Sequence, residues 1–587
     1  MKDDIQKIIK GEVDDGDETL KKYSHDASIF EIRPKFVIFP KDSEDVQNLV
    51  KFVNKNNEEV KNKGLHEKGD LLSITCRCAG TDMSGGAIGE SIILDFTKYM
   101  NKLVAFPAKN SSPFALGDIG QGVDNSNFSP ELYITVQPGM FYRDFEKITL
   151  EKGFILPCYT ASKSLNAMGG MFGNNSAGER TLKYGKTEDY VVEAKVVFAD
   201  GTEKIIKPIS INNISKEDEY SKKVYDLIKN NEEEINLAKP KVHKNSAGYY
   251  LWNVISPSHL QGEGRGEVLN FNLNKLLVGS QGTLGIATEI TFKLVKNPKY
   301  SKLVAIFMTD LEPLGRLVDE ILLLNPETLE TYDDKTMKLA VRFFPDFLKT
   351  KGFFGMIKFM WSFLPELRMM IAGGFPKMIL LAEFAGDNEE EVNFQCLKLK
   401  EKIKHFNLKV HITKSSLEAE KYWSIRRESF NLLRKHVANK RTAPFIDDII
   451  VRPEFLPKFI PELNKILGNY DITYTIAGHA GDGNFHIIPL MDFTLPDTAK
   501  IILELSDKVY DLVLRYHGSI TAEHNDGIIR TPYLEKMYGE RIYDLFKQTK
   551  NIFDPKNIFN PGKKIGGSKE YIATHLAIEH PKPHHGV

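Results

Sequence analysis

Three glycine-rich loops, set among strand-like runs, constrain this chain more than any other feature. The run 72–77 leads into Gly80-Thr81-Asp82-Met83-Ser84-Gly85-Gly86. A second loop covers 168–178, and a third, Val278-Gly279-Ser280-Gln281-Gly282-Thr283-Leu284-Gly285, opens the alternating run 286–294. Glycine permits positive φ and close approach of the main chain, so successive N–H groups can face an anion. Such loops point to a phosphate-bearing ligand. The usual dinucleotide fingerprint does not fit, because Gly279-Ser280-Gln281-Gly282 lacks the GxGxxG order and a strand follows it. Gly185-Lys186-Thr187 ends like a P-loop, but Arg180 stands where the first glycine is required and a strand-like run begins at Val191. Rossmann and P-loop folds are both disfavoured.

A chain of 587 residues is too long for one core, so two or three domains are expected. Residues 1–34 are charged and read as a helical arm. From 35 to 296, short strands, turns and helices alternate around the glycine loops, and Asn297-Pro298 marks a boundary. Strand-like runs at 303–308, 378–384, 445–451 and 472–476 then alternate with helical stretches at 312–324, 388–405, 418–436 and 455–467. That rhythm predicts an α+β domain over 297–530. Residues 531–567 form a C-terminal segment, and 568–587 a tail.

Charge and cysteine usage exclude several classes. Lys+Arg at 78 against Asp+Glu at 79 gives a net charge of -1, which offers no footprint for nucleic acid. Cys76, Cys78, Cys158 and Cys396 form no CxxC pair, so a chain-borne iron-sulfur cluster or zinc ribbon is disfavoured and a reducing, cytoplasmic setting is expected. The N-terminal residues lack the order of a signal peptide. The stretch 341–378 crowds nine aromatics, among them Phe343, Phe354 and Trp361, between Lys349, Lys351, Lys358, Arg368 and Lys377. It reads either as a peripheral membrane contact, on the inner face of the membrane, or as an insertion packed on its own domain or against a homodimer partner.

A second motif carries chemistry. Gly478-His479-Ala480-Gly481-Asp482-Gly483-Asn484-Phe485-His486 places two histidines across a glycine turn between strand-like runs, and Glu523-His524 follows downstream. Two histidines and a carboxylate suit an open divalent-metal site. With 15 histidines in the chain, two unrelated rings on a surface hairpin are the alternative.

Taken together, these motifs resemble a known family. Pro40 with the helix after it, Arg77-Cys78-Ala79-Gly80-Thr81-Asp82-Met83-Ser84-Gly85-Gly86, Gln137-Pro138-Gly139 and Met168-Gly169-Gly170 resemble the flavin domain of the vanillyl-alcohol oxidase/p-cresol methylhydroxylase superfamily. So do Asn174-Asn175-Ser176-Ala177-Gly178, Tyr184-Gly185 and the third glycine loop. Trp423-Ser424-Ile425-Arg426, the histidine motif, Gly518 to His524 and Asn560-Pro561-Gly562-Lys563 are similar to its FAD-linked D-2-hydroxyacid dehydrogenase branch, the D-lactate, D-2-hydroxyglutarate and glycolate type. The resemblance implies an α+β fold: a two-subdomain FAD-binding domain at 35–296 and a ferredoxin-like substrate or cap domain. It implies non-covalent FAD held by Arg77, Ala79, Gly80, Thr81, Asp82, Ser84, Gly85, Pro138, Gly139, Met168, Gly169, Gly170, Asn175, Gly178, Tyr184, Gly185, Gly282, Gly285, Ile286 and Asn560. For any single glycine, turn geometry is the competing explanation.

The same resemblance assigns His479, His486 and Glu523 to a divalent metal (Zn, Mn or Fe) and His524 to the general base. His524 is expected to point away from Glu523, by strand-like alternation. Arg426 is expected to grip the substrate carboxylate, against the alternative of a helix-surface salt bridge. Electrons would leave to quinone, an iron-sulfur protein or an electron-transfer flavoprotein. Asn525 departs from the family's glycine after Glu-His, although Asn tolerates a left-handed backbone. Other readings are an oxidase of the same superfamily and a non-catalytic flavoprotein subunit.

Overall fold

A computed structural model describes residues 1–63, 71–106, 132–257, 269–342, 375–436 and 440–578. Most of the aromatic stretch read at 341–378 falls outside these residues. The fold begins with short apolar strands buried on both faces, which suits parallel pairing. Phe36–Phe39 and Ile74–Arg77 both pair parallel with Ile92–Asp95. The crossover is the helix Ser43–Asn62, capped by Asp42, whose carboxylate accepts from the Asp45 amide. Its buried residues Val46, Leu49, Val50 and Val53 recur at helical spacing and cover the sheet. The 1–34 arm is not wholly helical. Between helices Lys2–Gln6 and Asp17–Tyr23, the strand Glu12–Asp14 pairs antiparallel with Phe36–Phe39 and covers that sheet's edge.

A second sheet runs in the order Leu103–Ala105, Leu132–Val136, Ile286–Lys296, Val191–Val197, Glu203–Ile206. The glycine loops join these two sheets. One of them differs from expectation, since 168–178 opens with a helix, Met168–Asn174, closed by Asn175 at φ 53. Burial of Met168, Met171 and Phe172 on one side stabilises a turn of helix that glycine content alone argued against.

Beyond 297, one antiparallel sheet dominates. Its order is Lys409–Ile412, Tyr300–Met308, Met378–Gly386, Thr328–Asp333, Thr473–His479, Asn484–Met491, Arg441–Thr442. Alternate residues serve opposite layers. Leu303, Ala305 and Phe307 join Tyr422, Trp423 and Ile425 of the helix Ser416–His436, while Val304, Ile306 and Met308 join the main core. The run 445–451 yields only the short strand Ile449–Ile450, because Asp447 and Asp448 interrupt it, the latter at φ 72. The C-terminal segment returns to the first half: Asn560 N–H donates to Ile74 O, and Lys550 Nζ donates to Thr283 O. Among the described residues, no helix is long and apolar enough to cross a membrane.

Candidate active site

The strands Thr473–His479 and Asn484–Met491 form a hairpin with His479 opposite Asn484 and His486 opposite Ala477. Register therefore puts both histidines on one face as diagonal neighbours, their ring centroids 5.2 Å apart. The turn demands glycine. Gly483 has φ +76, and a Cβ there would lie 1.9 Å from Val451 O. Glu523 completes a triangle: His479 Nε2 to Glu523 Oε1 is 3.2 Å, His486 Nε2 to Glu523 Oε1 3.2 Å, and the two Nε2 atoms are 3.3 Å apart.

A second ring of carboxylates fixes these rings. His479 Nδ1 lies 2.7 Å from Glu330 Oε1, and His486 Nδ1 lies 3.1 Å from Asp447 Oδ1. Each Nδ1–H can donate to its carboxylate, which directs both Nε2 lone pairs at the common centre. Ligand bonds of about 2.0–2.2 Å space neighbouring donors roughly 3 Å apart, so this triangle fits a divalent cation. Charge agrees. Buried Glu330, Asp447, Asp448, Asp482 and Glu523 gather here, with Lys244, Arg426 and Arg530 as neighbouring cations. The excess of carboxylates falls to protons or a metal ion. Burial alone would lower His486, but Asp447 and Glu523 hold its protonated form up to about 10. Burial likewise opposes ionisation of Glu523, yet Lys244 and His479 hold it well below the usual carboxylate range.

Glu523 and His524 do not alternate as in a strand. Asp448 Oδ2 accepts from the amides of Ala522, Glu523 and His524 and from Thr521 Oγ1, which curls the segment into a loop. Both side chains consequently face one cavity, and the expectation that His524 points elsewhere is corrected. Its ring stacks on His486 with centroids 5.0 Å apart. Asp447 Oδ1 bonds His486 Nδ1, while its Oδ2 lies 2.7 Å from His524 Nδ1 as an ion-pair contact without hydrogen-bond geometry. Asp448 also brings an oxygen near His486, Glu523 and His524. Its hydrogen bonds to the loop mark it as the anchor rather than a ligand. Asn525 takes φ 66, as a left-handed Asn can, and its Nδ2 donates to Asn174 O and Gly279 O.

Arg426 does form an ion pair, but with Glu330, the carboxylate that also holds His479. Its buried Nε has no protein partner, and the residue lines the cavity. Lys244 is fully buried between Asp482 (3.0 Å) and Glu523 Oε2 (3.2 Å). Sequence reasoning missed Glu330, Asp447, Asp448 and Lys244. The one available signal was the paired Asp447-Asp448 inside an apolar run.

A single cavity of about 600 Å³ joins this cluster to the glycine loops. Of the residues expected to hold FAD, Arg77, Ala79, Gly80, Thr81, Asp82, Pro138, Gly169, Gly170, Gly178, Gly282 and Gly285 line it. Gly170 opens onto free space, where a Cβ would meet nothing within 4 Å, while at Gly169 a Cβ would come within 2.5 Å of Pro138 Cβ. This bare main-chain wall suits a large planar cofactor with a phosphate link. The remaining nine lie behind the wall. Ser84 bonds Asp82, and Gly85 packs on Phe30 and Ile528. Gly139 abuts Phe96 O, and Met168 and Ile286 are core. Asn175 accepts from the Glu188 amide, Gly185 ends a helical turn, and Tyr184 turns to Glu327. Asn560 Nδ2 donates to Gly86 O and Gln281 O, tying the first and third loops together.

Comparison with known proteins agrees with this division. Residues 34–206 match the FAD binding domain, and residues 297–564 match the C-terminal domain of FAD linked oxidases. The D-2-hydroxyglutarate dehydrogenase of Haemophilus influenzae is 24% identical over 92% of this chain and 48% of its own length. The chain thus spans about half the length of the first curated relatives it matches. The glycolate oxidase subunit GlcD of Bacillus subtilis is 26% identical over 94% of this chain and 93% of its own. A substrate-bound structure of p-cresol methylhydroxylase superposes with a TM-score of 0.61 at 16% identity, over 94% of this chain and 93% of the other. Two consecutive domain matches converge: the chain belongs to the FAD-linked oxidases, and it shares the fold of p-cresol methylhydroxylase.

Proposed function

We propose that the chain oxidises a small D-2-hydroxyacid to its 2-oxoacid. The observation that supports this reading most is the shared cavity, which puts the glycine cradle and the His/Glu triangle around one space. When bound, FAD supplies an acceptor for the hydride leaving C2, and a divalent cation supplies a Lewis acid that lowers the hydroxyl pKa. His479 Nε2, His486 Nε2 and Glu523 Oε1 would hold that cation. His524 takes the hydroxyl proton at Nε2, since the Asp447 carboxylate faces its Nδ1. Burial would lower His524, but Asp447 and Asp448 raise it, so the imidazolium is stabilised once formed. Arg426, steadied by Glu330 and lining the cavity, pairs with the substrate carboxylate.

The relatives named above act on D-2-hydroxyglutarate and glycolate by their names, which favours this substrate class. A quinone, an iron-sulfur protein or an electron-transfer flavoprotein is the proposed acceptor. The test is anaerobic: purified protein loaded with FAD and Mn²⁺ is mixed with D- and L-lactate, D-2-hydroxyglutarate and glycolate. Bleaching of the yellow colour by a D-hydroxyacid or glycolate but not by L-lactate is the expected result. A chain that takes up no FAD, or bleaches with none of these acids, ends the proposal.

A further inference from the structure

Lys244 is a fully buried lysine that touches the histidine cluster, and the proposed oxidation gives it no task. It comes from the loop after the helix Glu232–Ala238, in the first half of the chain, whereas the cluster is built from the second. Two carboxylates hold it. Asp482, from the glycine turn of the histidine hairpin, accepts at 3.0 Å and is also bound by His243 Nδ1. Glu523 Oε2 accepts at 3.2 Å, and Gly178 O lies at 3.4 Å. Asp482 therefore fixes the ammonium, and the ammonium fixes one particular oxygen of Glu523.

Resting on the metal reading above, we propose that Lys244 is a positioning residue that keeps Glu523 a one-oxygen ligand, so that a coordination position stays open for substrate. Only Oε1 faces His479 Nε2 and His486 Nε2, both at 3.2 Å. Oε2, engaged by Lys244, is withheld. A carboxylate free to rotate can present both oxygens to a cation, and the second would occupy a place that a hydroxyacid needs. A fixed positive charge beside the ligand also opposes the cation, which leaves the bound ion more electron-poor.

Mn²⁺ binding to the full chain tests this. In Lys244→Met both effects act in one direction. Mn²⁺ binds more tightly, by about tenfold, and water-proton relaxation by bound Mn²⁺ falls by about a third as one of three open positions in a six-coordinate site is lost. Turnover drops, and Lys244→Arg restores all three readouts towards wild type. A lysine that merely supports the fold would give looser Mn²⁺ binding instead. Unchanged or weaker Mn²⁺ affinity with unaltered relaxation overturns the proposal. If Lys244→Met does not fold, a crystal structure of the Mn²⁺-loaded wild type decides: Oε1 alone on the metal supports it, both oxygens overturn it. A wild-type chain that binds no Mn²⁺ removes the metal reading itself, whereas normal Mn²⁺ binding with an indifferent Lys244→Met removes only the role of Lys244.

Discussion

The two ends of the cavity are built from opposite materials. At the cradle, main chain meets the ligand space, side chains are small, and Gly80 and Gly282 hold positive φ. At the cluster, side chains carry the chemistry: His479 is held by Glu330, itself paired with Arg426, and His486 by Asp447, whose main-chain carbonyl accepts from Arg530. Main chain grips any phosphate-linked ligand of suitable shape, because amide donors are fixed by the fold and need no partners. Side chains give chemistry, but only when every rotamer is locked by a neighbour. The cradle thus tolerates little added volume, and the cluster tolerates little lost contact.

That contrast can be broken from either side. The largest effect is expected at His524→Ala, which removes the proposed base while leaving Asp447, His486 and the cradle in place. Turnover should fall on the order of 10²-fold or more, with flavin and Mn²⁺ content unchanged in absorbance and metal analysis. Simultaneous loss of the flavin would show that the two ends are not independent. Next comes Gly169→Val, whose side chain collides with Pro138. Overpacking costs about 1–3 kcal/mol, on the order of tenfold in FAD affinity, and Mn²⁺ titration should be untouched.

The smallest effect concerns the seam. Glu383, on the catalytic sheet, faces Arg180 from the flavin half. Burial, with the nearby Glu179 and Glu327 carboxylates, outweighs Arg180 and pushes it up to about 7. The folded chain then binds more protons than the unfolded one between the ordinary 4.5 and about 7. Stability falls as pH rises through that window. Glu383→Gln abolishes this decline, so thermal melts of variant and wild type should agree near pH 4.5 and diverge, with the variant higher, by pH 8. Parallel melts at both pH values would sink the idea.

Legibility in the sequence divides along the same line. Glycine loops announce themselves, since Gly80, Gly169 and Gly282 are chemically conspicuous and adjacent to strand-like runs. The hairpin histidines were legible because register follows from alternation and a glycine turn. The carboxylates behind them were not. Glu330 comes from a strand 149 residues before His479, and Asp447 from a loop 77 residues before His524, so no spacing rule joins them. Nor does residue type reveal that Asp448 would gather three amides and curl the loop at Glu523. Asn560 illustrates the middle case: its family motif was visible, but its work as a tie between two loops required coordinates.

That tie has a consequence for biogenesis. The first cradle loop is made around residue 80, yet the hydrogen bonds that join it to the third loop come from Asn560. During synthesis the first half therefore emerges with its pocket unfinished, and stays so until residue 560 has been made. Cofactor loading then waits on docking of the segment that carries Asn560. Messages truncated before residue 560 should yield colourless protein even though all three glycine loops have been made.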